Sequence, residues 1–127
     1  MNTLVRFLDL IYLAGEMAGN ATLGEFEQIV LLAVLRLDDD AYGVTIREVI
    51  ATYADRNPTP GALYTTLDRL EDKGLLTSRF GDPTPARGGR AKRFFRVTKQ
   101  GVESVARAQR SYQRLLRGLK LSGGSHA

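Results

Sequence analysis

The stretch Thr59 to Gly74, TPGALYTTLDRLEDKG, decides how the chain is read. Thr59 can set its side-chain oxygen against the free N–H groups of a first helical turn, and Pro60 follows at the first helical position, where a missing donor costs nothing. Leu63, Leu67 and Leu70 recur at spacings of four and three, which gathers them on one side of a helix that faces a core. Lys73 falls in the last turn and Gly74 just past it, where a glycine can close the helix in the left-handed conformation. Steps of about 100° per residue carry Gly61, Thr65, Asp68, Arg69 and Asp72 to the opposite side, with Tyr64 on the flank. A solvated outer face would account for this polarity. So would a binding face, since Gly61 lets a foreign backbone approach N–H groups that favour an anion, and Tyr64, Thr65 and Arg69 can hydrogen-bond phosphates or base edges.

Upstream, Ile46, Val49, Ile50 and Tyr53 mark a helix from about Tyr42 to Ala54 with Arg47 on its polar side. Asp55 to Pro58 breaks it, because a residue before proline avoids helical torsions. Two helices joined by so short a turn, the second with a polar outer face, make a helix-turn-helix arrangement. Before them, Thr22 and Glu25 have capping-box spacing ahead of Phe26, Ile29, Val30, Leu32, Ala33, Val34 and Leu37, which predicts a long buried helix ending near Leu37. Asp38, Asp39 and Asp40 lack the glycine turn and distal glutamate of a calcium loop, so they read as a loop and helix N-cap, with no metal expected. Met1 to Gly19 is apolar almost all round, too short to span a bilayer and interrupted at Asp9, which argues against a secretory signal. It is read as a packing arm between elements or subunits, with peripheral membrane contact and a translation start at Met17 as alternatives.

Downstream, LLTSRF predicts a short strand and KRFFRV a second, with Phe95 and Val97 on one face. GDPTPARGGRA lies between them, its prolines and glycines excluding regular structure, so the pair is a hairpin with a cationic tip. Ordering Arg87, Arg90, Lys92 and Arg93 on such a loop costs entropy that a polyanion can offset, although a solvated loop is the plainer alternative. Thr98 can cap a last helix in which Val102, Val105, Ala106, Gln109, Tyr112, Leu116 and Leu119 share a face opposite Arg107, Arg110, Arg114 and Arg117. The apolar stripe outruns a small domain's needs, and a second copy in a two-fold dimer is its simplest cover. Tyr112 is the only aromatic of that helix, so no aromatic-stacking pocket is evident there.

At 127 residues, 43% hydrophobic and 25% charged, the chain suits one folded domain with extensions. It has no cysteine and its one histidine, His126, lies in a Gly/Ser tail, leaving no catalytic constellation and no cofactor to propose. The cysteine-free composition accords with a cytoplasmic location. The net charge of +4 is uneven, since Glu103 is the only acid after Asp82. That asymmetry points to an anionic partner, with nucleic acid ahead of a membrane surface.

LGEFEQIVLLAVLRLDDDAYGVTIREVI followed by PTPGALYTTLDRLEDKGLLTSRFGDPTPARGGRAKRFFRVTKQG resembles the PadR-type transcriptional regulators over about Leu23 to Gly101. The AYG at Ala41 to Gly43, the GALYTTLDRLEDKGLL block and the GGRAKRFFRVTKQG exit carry the resemblance. It implies a winged helix-turn-helix joined into a dimer through its C-terminal helix, while Met1 to Gly19 departs from the usual pattern; the expected fold is mainly α with a small β-hairpin and N-terminal and C-terminal dimerisation helices. It also implies a homodimeric repressor of the short-tailed branch that binds double-stranded operator DNA and, in some members, is released by a small effector. The expected organisation is an extension over 1–21, a DNA-binding domain over 22–98, a dimerisation helix over 99–121 and a tail over 122–127. Thr59, Gly61, Tyr64, Thr65 and Arg69 on the recognition helix and Arg87, Arg90, Lys92 and Arg93 on the 81–93 wing are the expected DNA-binding residues. Asp68 would repel phosphate unless it read a cytosine amino group or oriented Arg69. Val105, Gln109, Tyr112, Leu116 and Leu119 are the expected dimer residues. The alternative is a winged-helix module that binds an acidic protein partner.

Overall fold

The computed structural model describes residues 22–82 and 91–121. The expected packing arm at 1–21, the wing residues 83–90 with Arg87 and Arg90, and the tail 122–127 lie outside them. The element order is α1 (Glu25–Leu37), α2 (Gly43–Ala54), α3 (Pro60–Asp72), β1 (Leu76–Phe80), β2 (Arg93–Val97) and α4 (Lys99–Leu116). Helices α1 to α3 followed by an antiparallel two-stranded hairpin form the winged helix-turn-helix that the sequence predicts.

Helix α1 runs through the middle, burying Val30, Leu31, Ala33 and Val34 against α2, α3, β2 and α4. Its cap is not the expected one. Gly24, two residues beyond Thr22, precedes the first turn, and its N–H donates to Glu27 Oε1 at 2.8 Å. Glu27 also receives Lys73 Nζ at 2.8 Å, so one nearly buried carboxylate starts α1 and holds the end of α3. The Asp38–Asp40 run forms a 3-10 turn, and the residue that caps α2 is Tyr42, whose N–H donates to Thr45 Oγ1 at 3.0 Å. Asp39 instead meets Arg96 at 2.6 Å.

Asp55 ends α2 in the left-handed region at φ 53°, and Arg47 Nε donates to the Pro58 carbonyl at 3.0 Å, pinning the short turn into α3. Thr59 caps α3 as expected, its Oγ1 accepting from Ala62 N at 3.1 Å. The other end closes with Gly74 at φ 77°, Gly74 N–H on Glu71 O and Leu75 N–H on Leu70 O, each at 2.9 Å. The strands pair from Leu76 with Val97 to Phe80 with Arg93, and Phe95 N–H reaches the Ala41 carbonyl on the other side at 2.8 Å.

Thr98 links the hairpin to α4. Its Oγ1 accepts from Gly101 N at 3.0 Å and donates to the Gly74 carbonyl at 2.7 Å. Helix α4 stops at Leu116, short of the expected span, because Arg117 turns extended and Gly118 adopts φ 82°. Gly101 packs directly on the link between α3 and β1 and on β2, since a Cβ there would stand 2.3 Å from the Leu75 carbonyl oxygen and 2.7 Å from Val97 Cγ1. Gly101→Ala should therefore destabilise the chain by about 1–3 kcal/mol, the usual cost of overpacking. A urea melt checks this: the midpoint should fall with an unchanged m value, and a native midpoint would show that the junction yields freely.

Candidate nucleic-acid interface

The leucines of α3 set its orientation. Leu63, Leu67 and Leu70 are wholly buried, which leaves Gly61, Thr65, Asp68, Arg69 and Asp72 exposed together on the other side. Thr59 is exposed at the helix start, its hydroxyl engaged in the cap. Nothing lies within 4 Å of where a Gly61 side chain would begin. Arg69 has no ion-pair or hydrogen-bond partner among the described side chains. Tyr64 is 38% exposed, and its hydroxyl would lie 2.3 Å from a Cβ at Gly43. The ring therefore wedges against the first turn of α2 and offers only its outer edge. The glycine of the AYG tripeptide is the sequence signal for that contact, invisible without knowing which residue comes close.

The base of the wing is a ladder of rings and cations. Tyr42 and Phe94 meet edge to face at 5.5 Å, Lys92 Nζ lies 4.2 Å from the Tyr42 ring centre, and the Arg79 guanidinium lies 5.0 Å from that of Phe94. These cations keep their charge at the surface while their stems are ordered. Arg93 differs from both. Its Nη1 donates to Asp68 Oδ1 at 3.0 Å, its Nη2 to Glu71 Oε1 at 2.6 Å and its Nε to Ser78 Oγ at 3.3 Å. Burial pulls against its charge, but the hydrogen bonds and charges of Asp68 and Glu71 outweigh it and hold the guanidinium above the usual arginine range. The partner of Asp68 is thus Arg93, not Arg69. Phe80, which no local pattern singles out, is 70% exposed and pairs with Arg93 in the last rung of the two strands.

The PadR-like transcriptional regulator family matches residues 31–107. This chain belongs to that family. The transcriptional regulator Rv3488 of Mycobacterium tuberculosis is 35% identical over 91 residues, covering 70% of this chain and 78% of that protein. Among solved structures, a PadR family regulator from Eggerthella lenta aligns with a TM-score of 0.57 at 24% identity, over 70% of this chain and 75% of the other. Another, from Clostridium difficile, aligns with a TM-score of 0.58 at 19% identity, over 71% and 90%. These likenesses carry the fold. The chain is a PadR-like transcriptional regulator and not an enzyme.

In this PadR-like chain the expected dimer residues part company. Val105 is 4% exposed and packs in the chain's own core, and Gln109 is half-buried. Tyr112 and Leu116 are exposed, as is Leu115 at 76%, whereas Leu119 lies beyond the end of α4. Among the described residues no helix is long and apolar enough to cross a membrane, and no group of three or more His, Cys, Asp or Glu could hold a metal ion. The open space at Gly61 separates stability from binding. Gly61→Ala should hold or raise the melting temperature, since alanine is the better helix former by up to ~1 kcal/mol. If α3 approaches a duplex there, the same variant should bind DNA at least several-fold more weakly. Melting and a DNA titration on one preparation check both halves, and undiminished binding would remove Gly61 from the interface.

Proposed function

We propose that the chain is a DNA-binding repressor that acts as a homodimer in the cytoplasm, with α3 in the major groove and the 81–93 wing on the flanking backbone or minor groove. The observation that carries this reading is the outer side of α3, where Gly61, Thr65 and Arg69 stand exposed while the leucine side is fully buried. Arg69 and Thr65 then read base edges or phosphates, the start of α3 near Thr59 and Gly61 approaches the backbone, and Tyr64 contributes its outer edge. Lys92, with Arg87 and Arg90, supplies the wing's charge. In this scheme residues 22–98 are the DNA-binding unit and 99–121 the dimerisation segment.

The uncovered Tyr112, Leu115 and Leu116 of α4 supply the apolar surface for a two-fold partner. Two α3 helices roughly 34–36 Å apart would then meet successive major grooves. A small-molecule effector would release the repressor by binding better to a dimer whose α3 helices are spaced otherwise.

The test begins with fragments of its own genome that the purified protein retains, followed by titrations at several salt concentrations. Arg69→Ala should cut the preference for the retained site over random duplex by roughly tenfold, the scale of one good base contact. Lys92→Ala should weaken all duplexes alike and lower the slope of log K against log salt by about 0.9. Failure to retain any duplex at low ionic strength would sink the proposal and leave the acidic-protein module as the reading to pursue.

A further inference from the structure

A wing cation beside a recognition helix is the obvious phosphate contact, yet Arg93 already holds partners on both elements. Asp68 and Glu71 belong to α3, while Ser78 lies in the hairpin and donates to Glu71 Oε2 at 2.9 Å. Its guanidinium also lies 4.8 Å from the centre of the Phe95 ring. Three of its N–H groups are taken by Asp68, Glu71 and Ser78. One positive charge between two carboxylates leaves this patch net negative, so Arg93 offsets the repulsion of its neighbours and has no surplus charge for a phosphate. Its place in the register matters more. Arg93 pairs with Phe80 in the last rung of the two strands, one step before the Gly81 N–H to Lys92 carbonyl bond at 2.8 Å, at the end of the hairpin away from α3's link. The nearer end of the hairpin is fixed to α3 by the short link through Gly74 and Leu75. The Arg93 fork fixes the far end.

We propose that Arg93 is a positioning residue that locks the wing to α3 through Asp68 and Glu71 and so sets DNA affinity without neutralising a phosphate itself. The inference rests on the DNA-binding reading above. A forked guanidinium suits this task because it bonds two carboxylates in fixed directions, which a lysine ammonium does not. The charge logic gives the test a sign. Removing Asp68 and Glu71 charges beside a polyanion would tighten binding if electrostatics alone mattered, whereas loss of a brace weakens it.

The experiment measures duplex binding by fluorescence anisotropy at several potassium chloride concentrations for the native chain, Arg93→Ala, Arg93→Lys and the double variant Asp68→Asn with Glu71→Gln. Arg93→Ala and the double variant should both bind the retained duplex roughly tenfold more weakly at every salt concentration, with slopes parallel to the native one. Arg93→Lys should fall between. A slope shallower by about 0.9 for Arg93→Ala, undiminished affinity in that variant, or tighter binding by the double variant would overturn the proposal. If circular dichroism shows Arg93→Ala unfolded, the double variant decides alone. If the native chain binds no duplex, the DNA reading has failed, and hydrogen exchange in β1 and β2 judges the brace: faster exchange in the double variant upholds it and native exchange overturns it.

Discussion

The exclusion of Leu63, Leu67 and Leu70 from solvent is the constraint on which the rest depends. Each buried leucine contributes roughly 1.5–3 kcal/mol, so rolling α3 about its axis would forfeit a large part of the ~5–15 kcal/mol that holds a typical domain together. The roll of the helix is therefore fixed by packing, and its polar side is fixed with it. Position along the axis is set at the ends. Arg47 on the Pro58 carbonyl and the Thr59 cap hold the start, and Lys73 on Glu27 with the Gly74 turn holds the finish. The Glu27–Lys73 pair is nearly buried, which makes its loss more damaging than its presence is stabilising, because either partner left alone is a desolvated charge.

Charge is distributed by position rather than by total. Five acids of the first two-thirds of the chain meet cations from elsewhere, with Glu25 on Arg56, Glu27 on Lys73, Asp39 on Arg96, and Asp68 and Glu71 on Arg93. The basic excess counted along the chain is therefore not the field that a partner meets. Lys92 and Arg79 rest on aromatic rings, which order a cation without cancelling it, while Arg93 is cancelled where it stands. The neighbouring cations Lys92 and Arg93 thus have opposite electrostatic standing.

Much of this was legible in the sequence where the deciding forces are local. The Thr59 cap, Pro60, the leucine spacing and Gly74 each act within a few residues, and α3 has the limits they predict. What escaped depends on distant partners. Capping spacing occurs at Thr22 with Glu25 and again at Gly24 with Glu27, and the second wins because Glu27 also meets Lys73 far along the chain. Arg93 reads as a free cation until the hairpin folds back on α3. Leu119 fits the helical stripe by period, but Gly118 takes a left-handed turn before it. Val105 fits a dimer stripe equally well, yet at that point α4 still lies on the core.

The Ala41–Gly43 tripeptide shows why a motif can be distinctive without touching a ligand. The Ala41 carbonyl takes the Phe95 N–H and so extends the wing's hydrogen bonding onto the helical body. Tyr42 takes the edge of Phe94 and the ammonium of Lys92, and its backbone starts α2. Gly43 leaves the space that the Tyr64 ring fills, seating α3 against α2. Three consecutive residues thus join hairpin, α2 and α3, each through a different property: a free carbonyl, an aromatic face, and the absence of a side chain. A larger residue at the third position would displace Tyr64 and with it the surface of α3 that faces outward. The tripeptide and the Arg93 fork grip the hairpin from two sides, one on the helical body and one on α3, so the hairpin is held beside the face of α3 that the leucines have already turned outward.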